Sequence, residues 1–169
     1  MPHKLQKEDF QRAYSILDAS PLEFDCGILC DSFCCKEFEP GVGIYLLPGE
    51  EQMFTQEETW LTWMYPKARY SGFPSSWKGR LAFVMCNGQC PREKRPIQCR
   101  TFPLMPYLNP DKELETRLDL LSGILICPVL RNPEKFALNP QFTQAVERGW
   151  SLLLKDPLIW DVVCSVLEN

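Results

Sequence analysis

The chain has 169 residues, enough for one domain with a sizeable core. Its net charge of -4 argues against a general nucleic-acid or anionic-membrane binder, which needs surplus Lys and Arg. Nine cysteines beside a single histidine are the unusual feature of the composition. We therefore expect thiol chemistry, with neither nucleic acid nor a membrane as the partner.

The N-terminal half of the chain mixes helical and extended patterns. Apolar spacing predicts an opening helix over 4–18. A β-rich run bounded by Gly and Pro predicts a short strand over 43–47. A helix is predicted over 48–64, because its first residues are acidic and suit the positive end of a helix dipole. Residues 67–79 are predicted to form an irregular aromatic loop.

The C-terminal half is predicted to run from strands to helices. A strand over 81–85 leads into Cys86, and five prolines then limit helix to a turn or two around 97–102. Partial alternation predicts a strand over 114–126, and two amphipathic helices follow at 141–154 and 158–167.

These elements predict an α+β fold. We expect a single compact domain over 1–169, mostly helical, with a few short strands and cysteine-rich metal-binding loops. Its metal-ligand region spans about 24–130, and its C-terminal helices lie within 140–167.

A cytoplasmic location is predicted for this chain. Its first twenty residues lack the apolar region of a signal peptide, and no run approaches the ~18–20 apolar residues of a membrane span. Disulfides are uncommon in the cytoplasm, and an odd number of cysteines leaves one over in any disulfide scheme. Metal binding is therefore the better interpretation of the thiols.

Eight of the nine cysteines fall into groups that resemble sets of metal ligands, and thiolates favour soft metals. The predicted ligands are Cys26, Cys30, Cys34, Cys35, Cys86, Cys90, Cys99 and Cys127. The ninth, Cys164, follows a helical apolar pattern and is predicted to be a small core residue.

The spacing of the thiols bears on the kind of metal. Four-residue spacing on a helix holds Cβ atoms roughly 5–6 Å apart, which suits an iron–sulfur cluster better than a zinc ion with bonds of about 2.3 Å. With His3 the only histidine, mixed Cys/His zinc sites are excluded, while an all-cysteine zinc site stays open. Adjacent Cys34 and Cys35, if extended, point to opposite faces. Eight thiolates then divide into two sites of four, or one of this pair bridges or is spare.

Other residues have two interpretations each. Four cations near Cys90 and Cys99 could balance a negative thiolate centre or be solvated surface charges. The aromatic stretch from 60 to 77 could line a pocket, but core packing is favoured. The glutamates over 50–58 are interpreted as the polar face and first turn of a helix. The cations are Arg92, Lys94, Arg95 and Arg100, and the glutamates are Glu50, Glu51, Glu57 and Glu58.

The cysteine pattern resembles a known family. A C-x3-C-x3-C-C group from Cys26, followed by R-P-I-Q-C-R-T-F-P from Arg95 and a late Cys127, is similar to the cysteine-cluster family of zinc- or iron-chelating domains (CxxCxxCC type). Two x3 spacings replace the usual x2. The resemblance implies chelation of iron or zinc.

A related group, the flagellin lysine N-methylases, implies an alternative: an enzyme or subunit that uses an iron–sulfur centre. No catalytic residue is identified. If metal is bound, we expect its removal to disorder residues 24–40 and the 86–103 loop, while the terminal helices persist.

Overall fold

The structure is a computed structural model that describes residues 4–35, 41–88, 90–120 and 127–165, and only the backbone of Cys35. Its α-helices within these ranges are α1 (Lys7–Ile16), α2 (Ile97–Thr101), α3 (Pro128–Arg131), α4 (Pro140–Leu153) and α5 (Pro157–Ser165). Its strands are β1 (Ile44–Tyr45), β2 (Leu61–Met64), β3 (Phe83–Cys86), β4 (Leu104–Leu108) and β5 (Leu114–Leu118).

The α+β class is confirmed, but the expectation of a mostly helical chain is wrong, since 40% of the described residues are helical and 15% are in strands. The error lies at 48–64, where a 3₁₀ turn over Glu50–Met53 precedes strand β2. Burial along β2 explains the difference: Leu61 is buried while Thr62 and Met64 are exposed. Such alternation belongs to a half-buried strand.

Two small antiparallel sheets form the β part. In the first, the strand order is β1-β3-β2, and Trp63 pairs with Val84 at its centre. The second is the hairpin of β4 and β5, in which Leu104 pairs with Leu118. Strand β4 was not among the predicted elements, since the prolines of 91–110 were considered only as a limit on helix. Pro106 is accepted here because β4 has only one partner strand among the described residues.

The main hydrophobic core joins both ends of the chain. Phe10 of α1, Phe142 of α4 and Val84 of β3 are almost fully buried within one cluster. At Gly149 of α4, a Cβ atom would lie 2.6 Å from the Cδ2 of Leu17, too close for any larger residue. Gly149 therefore allows α4 to pack closely against the chain that follows α1.

The remaining predicted elements are confirmed with somewhat different bounds. The helices predicted over 4–18, 141–154 and 158–167 are α1, α4 and α5. The strands predicted over 43–47 and 81–85 are β1 and β3, and the turn of helix near 97 is α2. The strand predicted over 114–126 begins as β5, and its residues 121–126 lie outside the described ranges. No helix in the described part of the chain is long and apolar enough to cross a membrane.

Candidate functional site

A cavity of about 570 Å³ lies against the first cysteine loop, strand β1, helix α2 and the start of α3. Five predicted metal ligands from three separate segments line it. These are Cys26, Cys30, Cys34, Cys99 and Cys127. The fold therefore brings thiols from the first loop, the Arg-Pro-Ile-Gln-Cys-Arg segment and the late cysteine to one place.

The other cysteines lie elsewhere. The lining does not include Cys86 of β3 or Cys90 in the loop that follows it. Cys90 is buried, and its thiol lies 3.4 Å from the carbonyl oxygen of Pro91. The side chain of Cys35 lies outside the described atoms. Cys164 packs against the main core, as the helical pattern predicted.

The first cysteine loop does not present its thiols along an α-helix. A 3₁₀ turn covers Cys26–Leu29, Asp31 and Ser32 follow in the left-handed region with φ of 52° and 54°, and a second 3₁₀ turn covers Phe33–Cys35. The four-residue spacing therefore reflects a tight reversal of the chain. Cys34 and Cys35 lie in a turn, so the extended backbone that suggested opposite faces is wrong.

Gly27 lies at this reversal. The amide of Ser32 donates to the carbonyl oxygen of Gly27 at 2.8 Å, which draws the two residues together. A Cβ on Gly27 would lie 2.5 Å from Ser32 Oγ. The carboxylate of Asp25 accepts a hydrogen bond from the Gly27 amide at 3.0 Å and fixes the start of the loop.

Helix α2 positions Cys99, and it is held from the core side. Ile97 is fully buried, and its backbone amide donates to Glu50 Oε1 at 2.6 Å. The Gln98 side-chain amide donates to the carbonyl oxygen of Tyr45 at 2.9 Å and so ties α2 to strand β1. Cys99 is left half-buried at the cavity.

Glu50 is the centre of a buried network and not a surface residue of a helix, which corrects the interpretation of the glutamates. Its carboxylate accepts hydrogen bonds from the Tyr14 hydroxyl at 2.9 Å and the Leu47 amide at 3.0 Å, in addition to the Ile97 amide. Burial raises the pKa of Glu50, although these hydrogen bonds oppose the shift. Burial, with the nearby charge of Glu50, also raises the pKa of Tyr14.

Glu58 is also not a solvated helix residue, because its carboxylate accepts a hydrogen bond from Lys94 Nζ at 2.7 Å. Glu51 and Glu57 are exposed, but they do not lie on the predicted helix. The sequence gives no sign that separates Glu50 and Glu58 from these two, since all four follow the same acidic pattern.

Three of the four predicted cations line the cavity, while Lys94 forms an ion pair with Glu58. Arg100 is buried: it donates to the carbonyl oxygens of Arg95 and Glu93, both at 2.6 Å, and its guanidinium lies 4.1 Å from the ring centroid of Tyr14. Burial lowers the pKa of Arg100.

Arg95 differs from Arg100. Its Nε is buried and has no hydrogen-bond partner among the described residues. An unmet buried donor costs about 1–3 kcal/mol. The third cavity arginine, Arg92, is exposed.

One wall of the cavity is aromatic, formed by Tyr45, Phe73 and Trp77. The ring centroids of Tyr45 and Phe73 are 4.8 Å apart, and those of Phe73 and Trp77 are 4.6 Å apart. The Trp77 indole donates to the carbonyl oxygen of Leu158 at 2.7 Å, which fixes its ring. The aromatic stretch thus has both predicted roles, since Trp60 and Trp63 pack against the main core.

The thiols surround the cavity without converging on one point. Across the described ranges, no three side chains of His, Cys, Asp or Glu are arranged so that they could hold a metal ion as they stand. Five thiols line the cavity together with three carboxylates, and thiols suit zinc or an iron–sulfur cluster.

Comparison with protein-family models, curated protein sequences and solved structures finds no match to this chain. The resemblance to the cysteine-cluster family thus stays a prediction that depends on the motifs alone.

Proposed function

We propose that this chain is a cytoplasmic metal-binding protein that holds an iron–sulfur cluster or zinc in the cavity. The observation that carries the proposal is that five thiols from three segments distant in sequence line one cavity. The ligands would be drawn from Cys26, Cys30, Cys34, Cys99 and Cys127. Cys86 and Cys90, two further predicted ligands, lie outside the lining.

Arginine donors at the cavity support a thiolate centre, although three aspartates also line it. Bound thiolates carry negative charge, and nearby cations and N–H donors offset it and orient the ligands. Arg92, Arg95 and Arg100 all line the cavity. The buried Nε of Arg95 could donate to a sulfur atom of such a centre.

An iron–sulfur cluster is favoured over zinc. Cysteine-only ligation suits such clusters, and five of the predicted thiol ligands line the cavity. Zinc bound by the same thiols is therefore the alternative within this proposal.

Anaerobic purification with metal and acid-labile sulfide analysis tests the proposal. We expect a brown protein with iron and sulfide, or a colourless one with stoichiometric zinc. Cys99→Ser and Cys127→Ser should each lower the metal content at least severalfold, since each removes a ligand, and Cys164→Ser is the matched control. Metal-free wild-type protein, or equal loss in Cys164→Ser, would refute the proposal.

The aromatic wall favours a second candidate function, in which a substrate or organic cofactor binds beside the metal. From the resemblance to flagellin lysine N-methylases, that function would be methyl transfer to protein lysine. Catalysis needs an open coordination position or a cofactor pocket beside the metal. Calorimetry with S-adenosylmethionine tests it, and the absence of heat at high protein concentration would exclude this candidate.

A further inference from the structure

The cavity has more room than a metal ion needs. Its volume of about 570 Å³ lies within the range of roughly 300–1,000 Å³ found for small-molecule sites. A four-coordinate metal with bonds of about 2.3 Å occupies a small part of that space. The cavity can therefore hold an organic molecule, with or without the metal centre.

Arg95 supplies a polar group for such a molecule. Its buried Nε has no hydrogen-bond partner among the described residues, and its backbone is held by the hydrogen bond from Arg100 to its carbonyl oxygen. One edge of a guanidinium, Nε with an Nη, binds both oxygens of a carboxylate. Arg100 is already committed to the carbonyl oxygens of Arg95 and Glu93.

Net charge alone does not select an anion here. Three aspartates, Asp18, Asp25 and Asp119, line the same cavity as the three arginines. The preference must come from the unmet donor of Arg95. Transfer of a phosphate dianion into a largely apolar cavity costs more than transfer of a carboxylate, so a carboxylate is the better match for one guanidinium.

The aromatic wall supplies the complementary apolar surface. Tyr45, Phe73 and Trp77 form a continuous series of ring contacts along the cavity. Gln98, which immediately precedes Cys99, donates to the Tyr45 carbonyl oxygen and so links the wall to the segment that carries Arg95. Aromatic surfaces of this kind bind planar or apolar groups by burial and offset stacking.

We propose that the cavity binds a small organic carboxylate with an aromatic or apolar body. The carboxylate binds the guanidinium of Arg95, and the body packs against the wall of Tyr45, Phe73 and Trp77. This inference goes beyond metal binding, because neither contact requires the metal.

The test uses full-length protein, purified anaerobically with its metal, and two probes that differ only in charge. The probes are 3-phenylpropanoate and its neutral amide, with dissociation constants from ligand-observed NMR. We expect the acid to bind roughly tenfold more tightly than the amide, because only the acid forms the bidentate pair. Phe73→Leu should weaken both probes by a similar factor.

Variants of two arginines give the matched comparison. Arg95→Gln should weaken the acid roughly tenfold and leave the amide unchanged, and Arg95→Lys should also weaken it, since lysine lacks the planar pair of donors. Arg92→Gln, at an exposed arginine in the same lining, should change the acid by less than about threefold. Metal content is measured in each variant, and circular dichroism checks the fold.

Several results would overturn the inference. They are equal binding of acid and amide, equal losses in the Arg92 and Arg95 variants, or loss of metal in Arg95→Gln, which would assign the Nε donor to the metal centre. If wild-type protein holds no metal but still prefers the acid, the proposed metal function fails and this inference stands.

Discussion

Replacement of Glu50 tests whether one buried carboxylate holds the segment that carries Cys99. Glu50→Ala removes the acceptor for three donors: the Tyr14 hydroxyl and the amides of Leu47 and Ile97. Because the residue is 0% exposed, solvent does not replace the lost acceptor without rearrangement. The variant should therefore destabilise the whole domain and loosen α2.

The magnitude follows from the three donors. Each buried donor left without a partner costs about 1–3 kcal/mol, but donors in one network do not add fully. We expect Glu50→Ala to lower the free energy of unfolding by about 3–5 kcal/mol, the range for breaking a buried network. Glu50→Gln keeps one oxygen but turns an NH₂ group towards one of the donors, and should cost about 1–3 kcal/mol.

Urea denaturation at fixed metal content measures these differences, with Glu57→Gln, at an exposed glutamate, as the control. The pH gives a second check. Burial raises the pKa of Glu50 above its ordinary 4.5, so the folded state retains its proton to higher pH than the unfolded state. The advantage of wild type over Glu50→Gln should shrink as pH rises from 4.5 through the folded-state pKa. If Glu50→Ala is within about 1 kcal/mol of wild type, the network does not hold α2.

Three further predictions concern the first cysteine loop, the buried Tyr14 and the ion pair of Lys94 with Glu58. Removal of metal should abolish hydrogen-exchange protection over 26–34, which contains no buried residue. The Ile97 amide should stay protected through its hydrogen bond to Glu50, which narrows the disorder expected from sequence over 86–103. Equal loss of protection at both places would contradict this prediction. Burial raises the pKa of Tyr14, so the stability of the fold should decrease as the pH rises above 10.0. Tyr14→Phe should reduce that decrease, measured by urea titrations on either side of this pH. An equal decrease in the variant and in wild type would contradict the prediction. The hydrogen bond from Lys94 lowers the pKa of Glu58, so the ion pair stabilises the fold above the unfolded-state pKa of Glu58, and this stabilisation is lost as the pH falls through the folded-state pKa. Lys94→Met should lower the free energy of unfolding by less than about 1 kcal/mol at neutral pH, measured by urea titration. A larger loss would show a structural role for the pair.

The parts of the fold that sequence predicted well are those governed by local pattern. Helices α1, α4 and α5 carry apolar residues at helical spacing, and that spacing alone identifies them. Segment 48–64 was mispredicted because a glutamate in a first helical turn and a glutamate drawn into the core look the same in sequence. The hydrogen bond from the Ile97 amide shows that Glu50 belongs to the core, and such a tertiary contact has no local signature in the sequence.

The candidate site was also predicted only in part. Clustered thiols predicted a metal-binding region, and five of them do line one cavity. Spacing could not show that Asp31 and Ser32 reverse the chain between Cys30 and Cys34, since left-handed residues other than glycine are uncommon. The part played by Tyr45 and Phe73 in the wall also depended on strand pairing and loop packing that a single sequence does not reveal.

The cavity draws its walls from both ends of the chain, from Leu17 after α1 to Val162 in α5. The first cysteine loop forms only part of these walls, and α2, α3 and α5 supply others. A short peptide cut from the cysteine loop would therefore not carry the site with it.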